Sequence, residues 1–116
     1  MCIRDRLACD AAKEFNISIL LKGANSIVAD NKKVWQLFGT DSQTARAGLG
    51  DLLSGFLAGS SAIDLKYNRN ITTDFFAKYV LLHSFAASKC NKGSNASAIG
   101  DELSKLMRNI KMRQIS

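Results

Sequence analysis

Between Ile17 and Leu21 the chain carries a short, nearly continuous apolar run, Ile-Ser-Ile-Leu-Leu, set directly behind an amphipathic helix and stopped by Lys22-Gly23. A run of that length without polar alternation suits a buried parallel strand covered on both faces, not an edge strand with a wet side. The helix before it is read from Leu7, Ala8, Ala11, Ala12 and Phe15 at helical spacing, with Asp10, Lys13 and Glu14 on the other face, ending near Asn16. A helix feeding a covered strand points to an α/β fold.

The rest of the chain adds to that sheet and then covers it. Ser26 to Ala29 and Val34 to Phe38 are two further strands, and the polar Asp30-Asn31-Lys32-Lys33 between them is of hairpin length. They read as an antiparallel appendix. Past Gly39 a polar stretch leads to Gly48-Leu49-Gly50-Asp51, and from there Leu52, Leu53, Phe56 and Leu57 repeat with a helical period up to Ile63. A following helix takes Thr72 or Thr73 as N-cap, with Asp74 favouring the dipole in its first turn, and carries the stripe Phe75, Phe76, Tyr79, Val80, Leu82, Ala86 and Ala87. The last helix runs from Ser97 to Ile110 on Ile99, Leu103, Leu106 and Ile110. No repeat, low-complexity tract or proline divides the chain, so it reads as one unit. So few strands do not make a covered sheet alone, and the expectation is a larger fold lacking its first half.

Composition narrows the class. At 116 residues and 47% hydrophobic the chain has the apolar content for a core, which excludes general disorder. The net charge of +6 gathers after Asp64, with Lys105, Arg108, Lys111 and Arg113 near the end. Such a surplus suits an anionic partner, and a nucleotide satisfies it as well as a nucleic acid or a lipid surface. Cys2, Cys9 and Cys90 form no Cys-x-x-Cys pair, so they read as free thiols, not a disulfide framework or a zinc site. Neither a signal peptide nor a bilayer-length apolar run is present, and the expected location is cytoplasmic, without membrane association. The opening Met1-Cys2-Ile3-Arg4-Asp5-Arg6 resembles translated adapter read-through at the ends of metagenomic fragments. Residues 1–6 are therefore expected to be a non-native leader, with the native chain beginning further upstream.

Two segments carry chemistry. Gly48 and Gly50 stand at a helix start, where glycine permits a tight turn and lets backbone N–H groups approach a ligand. Unpaired first-turn donors and the positive end of the dipole make an anion site there. Asp51 either caps this helix or works as a base beside a bound phosphate, accepting a proton from an attacking hydroxyl. Lys22-Gly23-Ala24-Asn25-Ser26 follows the apolar strand, at the carboxyl end where open α/β sheets place ligands.

Taken together, Lys22 to Ser26 and Gly48-Leu49-Gly50-Asp51-Leu52-Leu53-Ser54-Gly55-Phe56-Leu57-Ala58-Gly59 resemble the ribokinase-like superfamily. More narrowly they look like the ADP/ATP-dependent NAD(P)H-hydrate dehydratases, which return hydrated NADH or NADPH to the working cofactor. The resemblance covers Leu7 to Ile110 and implies that residues 7–116 are the C-terminal part of a ribokinase-like three-layer catalytic domain. That part would have few strands, one buried parallel strand plus a hairpin, and about four helices. It implies that Lys22, Gly23, Ala24, Asn25 and Ser26 hold ADP or ATP, together with Gly48 and Gly50 on the phosphate side. Asp51 would contact the hydrated nicotinamide and act as catalytic base. Mg2+ would be expected on the nucleotide, with no protein metal site, and a homo-oligomer for the full-length protein.

Where the family commonly has Thr-Gly-Gly-Ser-Gly-Asp, this chain has Arg46-Ala47-Gly48-Leu49-Gly50-Asp51. Arg46 is then a candidate phosphate contact, bidentate through its guanidinium. His83 reads as a core or boundary histidine and not a catalytic one, and Trp35 as packing unless its strand exposes it for stacking. The competing readings are a ribokinase-like small-molecule kinase using the same Asp51 base, and a small basic nucleic-acid-binding module. The second would interleave exposed aromatics with basic residues, whereas Phe75, Phe76 and Tyr79 follow core spacing.

Overall fold

In the computed structural model, which describes residues 3–23, 25–37, 48–67, 72–90 and 93–115, helix α1 spans Ile3–Phe15. Its Ala8 and Ala12, one turn apart, are buried against Ile27 and Ala29 of the sheet, and their small size lets the helix lie close. The helix stops at Asn16, which turns left-handed at φ 51°, a conformation asparagine tolerates better than most residues. The Asn16 N–H returns to the Lys13 carbonyl and the Ile17 N–H to the Ala12 carbonyl, a Schellman cap that reverses the chain into the sheet.

Strands β1 (Ile19–Leu21), β2 (Ser26–Ala29) and β3 (Val34–Leu37) form one sheet in that order. Both pairings are antiparallel, with Leu20 opposite Val28 and Val28 opposite Trp35. The expected parallel character of the Ile17 to Leu21 run is thus corrected among the described strands. The short Lys22 to Asn25 connection can only return β1 antiparallel onto β2, because a parallel partner needs a crossover of a dozen or more residues. The reading of two covered faces holds: Ile19 and Leu21 pack with the α1 cluster, while Leu20 packs with Val28, Leu37, Leu53, Ala77 and Val80. Every residue of β1 is half-buried and every residue of β2 fully buried.

The β2–β3 turn is an Asx turn. The Asp30 carboxylate accepts the N–H groups of Lys32 at 2.7 Å and Lys33 at 2.8 Å, which fixes the hairpin register. The expected last residue of the third strand, Phe38, lies outside the described residues.

Helices α2 (Leu49–Lys66), α3 (Thr73–Lys89) and α4 (Ala96–Ile115) follow. Thr72 caps α3 by accepting the Phe75 N–H, and Asn95 starts α4 by accepting the Ala98 N–H at 3.0 Å. Leu53 of α2 and Ala77 and Val80 of α3 meet Val28 and Leu37 of the sheet, so the sheet lies between α1 and the α2–α3 layer. Helix α4 packs outside α3 through Ala86, Ala87, Ile99 and Leu103. The arrangement is a three-layer α/β fold of four helices around a three-stranded sheet.

Trp35 ties the hairpin to the start of α3. Its indole N–H donates to the Asp74 carboxylate at 2.6 Å, and Lys33 pairs with the same carboxylate at 3.0 Å. Lys33 and then Trp35 hold the Asp74 carboxyl below the usual carboxylate range. Among the described residues, no helix is long and apolar enough to cross a membrane, and Cys9 and Cys90 are free thiols.

Candidate active site

The loop after β1 is shaped by a close approach. The Arg4 guanidinium donates to the carbonyl oxygens of Lys22 at 3.1 Å and Asn25 at 3.2 Å, spanning the turn from the α1 side. A Cβ on Gly23 would stand 2.5 Å from that guanidinium, which would have to shift to make room for it. Lys22 and Gly23 are exposed and Asn25 is half-buried, while Ser26 is buried at the start of β2. Strand alternation puts Ser26 on the face of Val28, toward α2 and α3. Ala24 lies outside the described residues.

Among the described residues, no side chain caps the start of helix α2. Gly48 occupies the N-cap position in the left-handed region, φ 81° and ψ −2°, and the first helical bond runs from the Leu52 N–H to the Gly48 carbonyl at 3.0 Å. The first-turn N–H groups therefore face outward with the positive end of the helix dipole behind them. Lys22 arrives at the same place: its ammonium lies 2.7 Å from where a Cβ on Gly50 would be. Two segments distant in sequence thus bring a primary ammonium and an uncapped helix start together, and neither carries an opposing carboxylate except Asp51. That combination puts a positive charge and backbone N–H donors in one place, the elements from which an anion site is built.

Asp51 is exposed in the first turn of α2. It lines an open groove of about 1080 Å³ between α2 and α4, shared with Leu52, Phe56, Asp101, Lys105 and Arg108. Arg46 falls in the undescribed segment before α2. Among the described residues, no group of three or more His, Cys, Asp or Glu side chains could hold a metal ion.

His83 reaches the site from behind. It is 5% exposed on α3, one turn before Ala86 and Ala87, against which Leu49 at the start of α2 packs. Burial first, and Lys22 second, push its pKa below the ordinary histidine value, against the Leu49 contact, which favours the proton. Its Nε2 is buried with no hydrogen-bond partner among the described residues. The core reading of this residue stands as to burial but misses its place one turn from where Leu49 packs.

Lys105 and Arg108, part of the basic surplus near the chain end, are exposed on α4 and line the Asp51 groove. Their positions one and two turns beyond Asp101 were the available signal, but helical spacing alone does not tell which helix a face meets. Of the α3 aromatics at core spacing, Phe75 and Phe76 are half-buried, while Phe15, Trp35, Tyr67 and Phe85 are exposed. Tyr79 is buried, 4.6 Å centre to centre from Phe75 and 5.3 Å from Phe56.

With this geometry in place, the comparisons with known proteins take on meaning. The structure resembles Bacillus subtilis YxkO, described as a UPF0031-family member and candidate kinase, with a TM-score of 0.71 at 19% sequence identity. The match covers 92% of this chain and 40% of YxkO, so the chain spans less than half the length of that neighbour. No curated protein matches the sequence. The family described as NAD(P)H-hydrate dehydratase (Carb_kinase) matches residues 3–110, nearly the whole chain. The chain belongs to the NAD(P)H-hydrate dehydratase family.

Proposed function

We propose that this chain supplies the phosphate side of the active site of a nucleotide-dependent NAD(P)H-hydrate dehydratase. The observation that carries the reading is Lys22 lying against Gly50 at the uncapped start of α2, in a chain of this family. In this reading Lys22 to Ser26 hold ADP or ATP, and Gly48 and Gly50 present backbone N–H groups to the phosphoryl group in flight. Arg46 adds a phosphate contact. Asp51, at the rim of the groove, takes the proton of the ring hydroxyl of the hydrate as its oxygen attacks the terminal phosphorus of the nucleotide. One P–O bond forms, the bond to the departing nucleotide breaks, and a phosphate ester remains on the ring. Phosphate then leaves that ring carbon while a neighbouring carbon gives up a proton, and the restored C=C bond completes the dihydronicotinamide.

Mg2+ would screen phosphate charge when bound to the nucleotide. The described residues do not form a dedicated site for it, so no protein step is assigned to it. We further propose that residues 7–116 are the C-terminal part of the catalytic domain, consistent with the 40% coverage of YxkO. On that basis the 116-residue chain alone is expected to show no turnover.

The second reading is a ribokinase-like small-molecule kinase, favoured by the description of YxkO as a candidate kinase. It uses the same cradle and the same Asp51 but releases a phosphorylated product. One experiment separates the two: the chain, joined to the remainder of its catalytic domain, is given NADH hydrate with ADP or ATP. Recovery of NADH absorbance with release of inorganic phosphate supports the dehydratase. A stable phosphorylated product without NADH recovery supports the kinase and overturns the proposal.

A further inference from the structure

The groove between α2 and α4, about 1080 Å³, is of the size that holds a small molecule, and its two ends differ in charge. The two helices start side by side. A Cβ on Gly48 would meet the Ala96 methyl at 3.7 Å, and one on Gly100 would meet the Leu52 side chain at 3.5 Å, so α2 and α4 run in the same direction. The floor between them is apolar, made by Leu52, Phe56, Leu103 and Met107, with open space beside Gly55, where a Cβ would meet nothing within 4 Å. Asp51 and Asp101 line the end near the helix starts. With Ala96 level with Gly48, the helical rise puts Lys105 about 9 Å and Arg108 about 13 Å further along the groove than Asp51. Among the described residues, neither cation forms an ion pair with Asp51 or Asp101.

We propose that this groove seats the hydrated dinucleotide itself, with its nicotinamide ring at Asp51 and its pyrophosphate on Lys105 and Arg108. The inference rests on the dehydratase reading above and gives that reading the surface that holds the substrate.

The order of groups along the groove selects this occupant. Carboxylates accept hydrogen bonds and ammonium or guanidinium groups donate them. The ligand therefore carries donors at the Asp51 and Asp101 end, anionic oxygens at the Lys105 and Arg108 end, and a flat body between them. A hydrated dihydronicotinamide nucleotide has that order, with ring hydroxyl and carboxamide N–H groups first, then a ribose, then phosphate. The ribose bridges the distance from Asp51 to Lys105. Arg108 suits bidentate contact with phosphate oxygens, and Lys105 adds a point charge beside it. The phosphoryl donor has a separate place. Lys22 approaches Gly50, whereas Asp51 is one residue further on, about 100° around the helix. Donor and acceptor then meet at the α2 start from adjacent sides, as transfer between them requires. Both cations are exposed, so their attraction for the substrate is screened by salt.

The test is steady-state kinetics of the joined catalytic domain with NADH hydrate and ADP or ATP. The parent is compared with the double variant Lys105→Gln and Arg108→Gln and, separately, with Gly55→Leu. Glutamine is a good helix former at these exposed α4 positions, and leucine at Gly55 enters open space, so neither change should lower Tm. The expected result in the double variant is a KM for the hydrate raised about tenfold, with kcat and the KM for the nucleotide held. The parental KM for the hydrate should also rise more steeply with salt than that of the double variant. Gly55→Leu, which narrows the groove without touching a charge, should raise the same KM. A hydrate KM unchanged in both variants overturns the inference while the dehydratase reading stands. A raised KM for ADP or ATP in place of the hydrate assigns the groove to the nucleotide and overturns the inference as well. Absence of NADH recovery in the parent overturns the dehydratase reading and this inference with it.

Discussion

Replacing Gly50 by alanine should separate the stability of α2 from its use. Gly50 lies within the first turn of the helix, where alanine is favoured over glycine by about 0.4–1 kcal/mol, largely through the unfolded chain. Against this stands the new Cβ, 2.7 Å from the Lys22 ammonium. That ammonium is the end of a flexible, exposed side chain, which swings aside at small cost. The net effect on folding is therefore neutral to stabilising, with Tm unchanged or raised by up to about 4 °C. Binding changes in the opposite direction. The displaced ammonium and the methyl group standing among the N–H donors should weaken anion affinity by about 1–2 kcal/mol, roughly five- to thirty-fold.

Gly48→Ala is the internal control. Its Cβ would meet only Ala96, at an ordinary 3.7 Å, so the penalty there is conformational, from φ 81°. A left-handed alanine costs about 1–2 kcal/mol, so this variant should lose roughly 4 °C or more of Tm. Thermal unfolding by circular dichroism and sulfate titration by NMR read both quantities on the same samples. The reasoning is refuted if Gly50→Ala binds sulfate as well as the parent, or if it loses as much Tm as Gly48→Ala. Either result would mean that Lys22 does not share its position with the first turn of α2.

Other perturbations report on the frame. Because the fold disfavours the His83 proton and the unfolded chain binds it near the ordinary value of about 6.5, stability should fall as pH drops below about 6.5 and level off below the folded midpoint. Urea unfolding across that window checks the slope, which His83→Leu should remove. Thr72→Ala and Asn95→Ala each delete an N-cap and should cost about 1 kcal/mol, read from urea midpoints at constant m. Leu53→Ala removes the α2 contribution to the core between sheet and helices and should cost about 2–5 kcal/mol in the same assay.

Much of the frame was legible in the chain because short-range signals decided it. The Asp30 turn, the Thr72 cap and the apolar stripe on α3 each depend on residues within a few positions of one another, and all three appear in the structure. The Ile17 to Leu21 run was legible as covered on both faces but not as antiparallel. Burial sets composition, whereas direction was set by the brief return through Lys22 to Asn25. Helix α4 extends past its expected end at Ile110 to Ile115, since no glycine or proline interrupts it there. The site followed the same division. The residues with chemical potential could be picked from their types and local settings. The approach of Lys22 to Gly50, and Lys105 and Arg108 lining one groove with Asp51, depend on which elements meet, which periodicity does not encode.

The measurement that bears most directly on the central claim is the Asp51→Asn comparison in the joined catalytic domain. NADH recovery from the hydrate and ADP affinity by calorimetry are followed side by side. Asparagine keeps the size of the side chain and the helix start but cannot take a proton from the ring hydroxyl. The account predicts that turnover is abolished while ADP binds with nearly the parental affinity. Turnover at the parental rate in Asp51→Asn would contradict it.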